Sequence, residues 1–384
     1  IDLFGGAARS VAPFDRYLFQ VTVVGDGYGG LEHRSSSSLL CRREELPASG
    51  QPGIGDDYLH FLGLASHEYF HSWNVKRIKP MVFAPYDLAN ENYTRQLWAF
   101  EGITSYYDDL ALVRSGIIDP ARYLELLGRA ITSVLRVPGR HVQSIAESSF
   151  DAWIKFYRPD ENSPNAVISY YWKGSLVALA LDLTLRKSSR GSLDDVMREL
   201  WQRHGRTGVG VPEDGVERIV DELAGADMRE FFDRYVHGTE DPPLEALLNS
   251  FGIEWHARAA SGATDRGGKP ATGAAPTCGL GAKIGPDLKL LTVYTGGPAE
   301  QAGLAPQDVL VAIDGIRASP DSVNALTMRR APGEVVSVHA FRRDELLCVG
   351  LDLASAPLDT CYLSLRTDVA QAASTLQNGW LAGT

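Results

Sequence analysis

Two histidines four residues apart set the first structural requirement on this sequence. They lie in Ser66-His67-Glu68-Tyr69-Phe70-His71-Ser72-Trp73-Asn74. On an α-helix, residues so spaced share one face, so both rings can reach a single metal ion. Glu68 then points about a quarter-turn aside. It misses the ion but reaches the place of a hydrolytic water, the arrangement of a zinc hydrolase. Such a site needs a helix, and the flanking residues supply one. Leu59, Leu62, Ala65 and Tyr69 or Phe70 recur near helical spacing, with Asp56 or Asp57 as cap. The helix is predicted from about Tyr58 to Asn74, and Val75 through Pro80 end it.

Around this helix the chain divides by character. Residues 1–16 and 43–56 read as loops. Tyr17 to Val24 is β-rich. Gly25-Asp26-Gly27 is a turn, and Tyr28 to His33, running on through Arg34 and four serines to Leu40, reads as a second strand. Its Gly29 and Gly30 let another group approach the backbone closely. Residues 81–89 form a connection. A long helix is predicted over Glu91–Arg114 with Asn90 as its cap. Further helices are expected at about 119–136 and 165–187, then from Ser192, over 213–224 and over 227–237. Residues 259–277 are rich in Gly, Ala, Thr and Pro and lack large apolar side chains, the composition of a linker. Beyond it the pattern is β, ending in a hairpin of Val335–Phe341 with Leu346–Leu351. The division is a zinc-binding half with N-terminal strands (1–115), a helical half (116–258), a linker (259–277), a small β-rich domain (278–355) and a tail (356–384).

A catalytic zinc takes three protein ligands and keeps one position open. On the predicted second helix Glu91 and Glu101 compete for the third place. Glu91 sits at a helix N-terminus, where a negative charge is favoured without a metal. Glu101 lies mid-helix beside Leu97 and Trp98, where a carboxylate is costly unless a cation meets it. Glu101 is therefore preferred. His33, His60 and His141 read as structural or surface histidines.

The net charge of −11 argues against nucleic acid and anionic membrane surfaces as partners. No apolar run approaches membrane-spanning length. Cys41, Cys278, Cys348 and Cys361 form no Cys-x-x-Cys pair, so a cysteine zinc site is not expected, and their number does not require disulfides. The chain begins with Ile1 and reads as a processed or truncated product. The compartment stays open between cytoplasm and periplasm.

His-Glu-x-x-His with a glutamate on the next helix resembles the gluzincin metallopeptidases. Phe100-Glu101-Gly102-Ile103-Thr104 is similar to the second motif of their aminopeptidase branch, Asn-Glu-Gly-Phe-Ala. Gly29-Gly30-Leu31-Glu32-His33 is similar to the Gly-x-Met-Glu-Asn of their substrate strand, and Tyr171-Trp172-Lys173-Gly174 matches Tyr-x-Lys-Gly around their oxyanion tyrosine. These motifs, His67 through Pro80 and the C-terminal module together resemble the glycyl aminopeptidase family. The long gap from His71 to Glu101 (residues 72–100) favours that narrower group. The resemblance implies an α+β fold, with a thermolysin-like (gluzincin) catalytic domain whose second half is helical and a small β-rich PDZ domain after it. It also implies an N-terminal β domain, of which this sequence carries little. Gly279-Leu280-Gly281-Ala282 resembles a PDZ carboxylate-binding loop, and Gly297-Pro298-Ala299 through Gly303-Leu304 completes the likeness.

The expected chemistry is that of a zinc metallopeptidase with one Zn2+ per chain. His67, His71 and Glu101 are its ligands, and Glu68 is the general base on the hydrolytic water. Tyr171 is the oxyanion donor, with Tyr170 in its place if the helix phase is off by one. Glu32, with Gly29 and Gly30, would bind the free α-amine of a peptide, and a Gly or Ala first residue is implied by the family. The expected partners are peptides with a free N-terminus and a C-terminal peptide at the PDZ-like domain. The alternatives are an endopeptidase of the same fold and a catalytically idle, PDZ-containing binding protein.

Overall fold

The computed structural model describes residues 2–5, 12–48, 50 and 53–383. Within the span read as an N-terminal loop, Asp2–Gly5 forms one helical turn whose Phe4 stacks on Trp73. Three strands come next: β1 (Leu18–Val24), β2 (Gly29–Glu32) and β3 (Ser36–Arg42), in the order β1-β3-β2. The stretch read as one second strand is therefore two. His33 N donates to Ser36 O at 2.8 Å and reverses the chain. On β3, Ser37, Leu39 and Cys41 are buried in alternation, the pattern of a half-buried strand. Arg43–Glu45, within the second predicted loop, is a short 3-10 turn.

Helix α1 (Asp56–Phe70) carries the histidine motif. Gly55 is its N-cap, and Asp56 and Asp57 occupy the first turn instead of capping it. There Asp56 binds Arg122 and Arg129. The helix stops four residues before the predicted Asn74, because the chain turns so that Trp73 and Asn74 enter the core.

The predicted helix over Glu91–Arg114 begins late. Asp87 and Asn92 bond locally instead: Asp87 Oδ1 accepts from Ala89 N at 2.9 Å, and Asn92 Nδ2 donates to Asp87 O at 2.7 Å. Such side-chain bonds compete with helix, and Asn90 caps nothing. Helical structure starts with a π-turn, Trp98–Gly102, which runs into α2 (Ile103–Arg114). Helix α3 (Pro120–Leu135) is as predicted, capped by Asp119. The predicted helix over 165–187 is broken. A single turn, Ser163–Ala166, is followed by extended chain and then α4 (Trp172–Lys187). The break has a cause: the Asn165 side chain bonds Val293 O and Thr295 N of the C-terminal domain, and Ile168 N donates to Gln143 Oε1.

Every residue of α4 from Lys173 to Leu183 is buried, so this helix is the centre of the main core. Asp182 accepts from Tyr106 Oη at 2.6 Å, and Asp194 accepts from Tyr107 Oη at 2.6 Å. These paired buried carboxylates fix α2 against α4 through Asp182 and against the next helix, Leu193–Leu200, through Asp194. The two helices also cross at glycines. A Cβ on Gly102 would lie 2.7 Å from Gly174 Cα and 2.9 Å from Tyr170 O. The crossing explains why both Glu101 and Lys173 are followed by glycine. Gly102→Ala should cost about 1–3 kcal/mol by overpacking, read as a lower midpoint in denaturant unfolding; an unchanged midpoint contradicts the close crossing.

Strand β4 (Ile253–Arg258) pairs with β5 (Thr360–Leu365), and α5 (Gln371–Ala382) buries Trp380 completely. The stretch read as a tail thus returns to the helical domain. Trp380 Nε1 donates to Tyr106 Oη at 2.9 Å. Between β4 and β5, Gly267 and Gly268 lie against α3, and Gly268 N donates to Cys361 O. A second hydrophobic core, including Leu290, Leu310, Val336, Val338 and Leu351, belongs to the β-rich domain. Its four-stranded sheet runs 345–352, 335–342, 309–313, 316–317, and the predicted hairpin pairs Val335 with Asp352. The four cysteines are free. Among the described residues, no helix is long and apolar enough to cross a membrane.

Candidate active site

The end of α1 and the π-turn bring three ligand atoms together. His67 Nε2 lies 3.3 Å and His71 Nε2 3.2 Å from one oxygen of Glu101. One ligand atom from each of the three residues lies within 4.8 Å of the other two. The other ring nitrogens are committed: His67 Nδ1 to Asp108 Oδ2 at 3.1 Å and His71 Nδ1 to Asn74 O at 2.6 Å. With Nδ1 so engaged, both Nε2 atoms are turned towards the same Glu101 oxygen, and each offers a lone pair there once its imidazole is neutral. The Asn74 amide in turn donates to Ala99 O, Phe100 O and Thr104 Oγ1. It locks the turn after α1 to the π-turn that holds Glu101. Single π-turns of this kind re-aim a side chain within a helix.

The charge around this point is unbalanced. Burial favours a neutral His67, yet its bonds to Asp108 and Glu101 prevail and raise it to about 10. His71, likewise buried, is raised by Glu101. Burial opposes ionisation of Glu101, but His71 and His67 hold it below the usual carboxylate range. Asp108 and Asp109 are raised by burial, and Asp109 further by Asp108. With Glu68, four carboxyl groups surround two imidazoles. A His-His-Glu donor set converging on one point suits zinc, which would take the place of the imidazole protons. Without metal, His67 keeps a proton up to about pH 10, whereas a ligand imidazole must be neutral. Metal uptake near neutral pH should therefore release protons, and affinity should rise with pH. Calorimetry in buffers of different ionisation enthalpy measures this; a buffer-independent heat contradicts it.

Glu68 is 5% exposed, and its Oε2 has no hydrogen-bond partner among the described residues. Burial raises its pKa, offset in part by His71 and His67, while Glu32 adds to the rise. An orphaned, weakly acidic carboxylate is suited to take a proton. Strand β2 lies directly over it: a Cβ on Gly30 would fall 2.0 Å from Glu68 Oε1. Gly29 has no such neighbour within 4 Å. Glu32, at the end of β2, is paired with Lys76 Nζ at 3.0 Å.

Tyr171 stands before the first turn of α4, its ring 6.2 Å from that of His67. Burial and the nearby Glu101 carboxylate raise its pKa far above the ordinary value, so the hydroxyl stays a donor. Its oxygen is 3.0 Å from Tyr157 Oη. Tyr170 is packed in the core, stacked on Tyr171 at 4.6 Å. Glu91 lies in irregular chain outside this cluster. Asp108, Asn74, Tyr157 and Lys76 also belong to the site, although sequence patterns assign them no role in it. Asp108 was within reach, since it is two helical turns from Glu101 on the same face. Tyr157 lies after a π-turn, Ala152–Phe156, that no periodicity announces.

Residues 60–177 match the family described as M61 glycyl aminopeptidase, and residues 290–338 match a PDZ domain. Among solved structures, an aminopeptidase N family protein from Idiomarina loihiensis is 42% identical with a TM-score of 0.91. The match covers 99% of this chain and 64% of that one, so this chain spans a little under two-thirds of its length. A serine endoprotease from Yersinia pestis is 22% identical over 21% of this chain and 30% of that one. An HtrA-type protease, AlgW with a decapeptide, is 26% identical over the same shares. Both have TM-scores of 0.20. No curated protein matched. The chain thus contains a domain that matches the M61 glycyl aminopeptidase family and, after it, a PDZ domain.

Proposed function

We propose that this chain is a zinc aminopeptidase acting on peptides with a small first residue, Gly or Ala. The observation that carries the reading is the convergence of His67 Nε2, His71 Nε2 and Glu101 Oε2 beside a buried carboxylate with an unpartnered oxygen. Zinc held there supplies Lewis acidity toward a water and a peptide carbonyl. Glu68 takes the proton of the attacking water and returns it to the leaving amine. Tyr171, kept protonated, donates to the oxygen on which charge develops. Asp108 and Asn74 O hold the two rings in the ligating orientation. Gly30, having no Cβ, leaves room for the Glu68 carboxylate beneath β2, and Glu32 accepts the substrate's α-ammonium. In the PDZ domain, strand Ala282–Ile284 pairs with Leu290–Val293 and, among the described residues, with no strand on its other edge. That edge suits the addition of a peptide strand.

A second reading, an endopeptidase, is favoured by one observation: Glu32 already has a cation, Lys76, within 3.0 Å. Paired cleavage assays of free and N-acetylated peptides decide between the two. An aminopeptidase cuts only the free series, and Glu32→Ala should raise KM on it by about tenfold or more, as loss of a charge-assisted bond does. Equal cleavage of both series removes the aminopeptidase reading.

A further inference from the structure

Lys76 lies in the turn after the histidine motif, its N donating to His71 O at 2.9 Å. Its side chain reaches back over the cleft to β2 and donates to Glu32 Oε1 at 3.0 Å. Both side chains are partly open to solvent, at 26% and 22% exposure. The pair is neither a buried structural bridge nor a freely solvated one. Chemically, Lys76 Nζ is a primary alkylammonium, the same group as the α-ammonium of a peptide. A carboxylate that receives one in this geometry can receive the other. It cannot hold both without placing two like charges side by side.

The surroundings strengthen the competition. Lys79 lies close enough to Arg34 and Lys76 for their charges, together with its own burial, to lower its pKa. Arg77 is engaged differently. Its guanidinium donates to the carbonyls of Pro13, Arg34 and Ser72 and clamps the loops around the motif. So of the run Lys76-Arg77-x-Lys79, only Lys76 points its charge at the carboxylate that would read the substrate.

We propose that Lys76 is a built-in competitor for the amine site, a side-chain ammonium that a substrate's N-terminus must displace from Glu32. This rests on the reading of Glu32 as the amine anchor. The displacement makes recognition conditional. A ligand offering only an amine exchanges one ammonium for another and gains little. A peptide that also presents its first carbonyl to the metal site gains a second contact and displaces Lys76. Lys76 thereby sets the affinity of the amine site, weakening peptides and simple amines by the same factor, so that a ligand needs its second contact to bind appreciably. It tunes binding and takes no part in proton transfer.

The test is steady-state kinetics of the metal-loaded chain on glycine anilide, with ethylamine, which has no carbonyl, as a competing simple amine. Lys76→Met keeps the length and removes the charge. It should lower KM by about two- to fivefold, the size of a partly exposed ion pair, leave kcat unchanged and tighten ethylamine inhibition by the same factor. Lys76→Arg keeps the charge and should keep both values near those of the parent. Glu32→Gln provides the control on the anchor. A raised or unchanged KM in Lys76→Met, with Glu32→Gln impaired, overturns the competition while leaving the anchor intact. No effect of Glu32→Gln on KM overturns the anchor and the competition together.

Discussion

Glu68→Gln should lower turnover by about 10²- to 10⁴-fold, the usual contribution of a positioned general base, while bound metal stays at the parent level. The split comes from the geometry. Glu68 is next to His67 in sequence, but its carboxylate is absent from the converging ligand cluster, so exchanging it for an amide leaves the three ligands in place. Its Oε2 has no partner to lose, so the fold should tolerate the change. The amide cannot accept and return a proton. Metal analysis and turnover on one preparation read both halves; loss of metal together with activity would make Glu68 a ligand or a structural group, and retained turnover would remove it as the base.

Gly30→Ala should produce a similar loss by displacement, about 100-fold, the order that a misplacement near 1 Å can cost. The added Cβ would enter the Glu68 carboxylate at 2.0 Å from Oε1 and 2.3 Å from Cδ. The strand cannot retreat freely, because β2 is paired along its length with β3. The side chain is the movable partner, so Glu68 must leave the position from which it serves the water. Unfolding midpoint and metal content should be near those of the parent. The same substitution at Gly29, where nothing lies within 4 Å, is the control and should be close to neutral. Equal effects at the two glycines would contradict the placement of β2 over Glu68.

The sequence exposed the site's chemistry better than its geometry. His67, Glu68 and His71 announce themselves by helical spacing, and α1 carries them. Glu101 could be chosen over Glu91 because a mid-helix carboxylate among apolar neighbours needs a counter-charge. The helix expected around it starts too early, however, because the Asn92 side chain bonds the Asp87 backbone, the Asp87 side chain bonds Ala89 N, and a π-turn shifts the phase at Trp98–Gly102. The break before Tyr171 was equally hidden: it depends on Asn165 bonding to Val293 and Thr295, more than a hundred residues away. Contacts of that range leave no local period. The same holds for the return of residues 360–382 to the helical domain, which rests on β5 finding β4 and on Trp380 finding Tyr106. The pairing of Glu32 with Lys76 was illegible for the same reason, although both residues were in plain view.

The most direct test of the account is anomalous diffraction at the zinc absorption edge from crystals of the purified chain. The expected result is one peak per chain between His67 Nε2, His71 Nε2 and Glu101. A zinc peak elsewhere, or no peak in protein that hydrolyses glycine anilide, would contradict the central claim that these three side chains build the catalytic metal site.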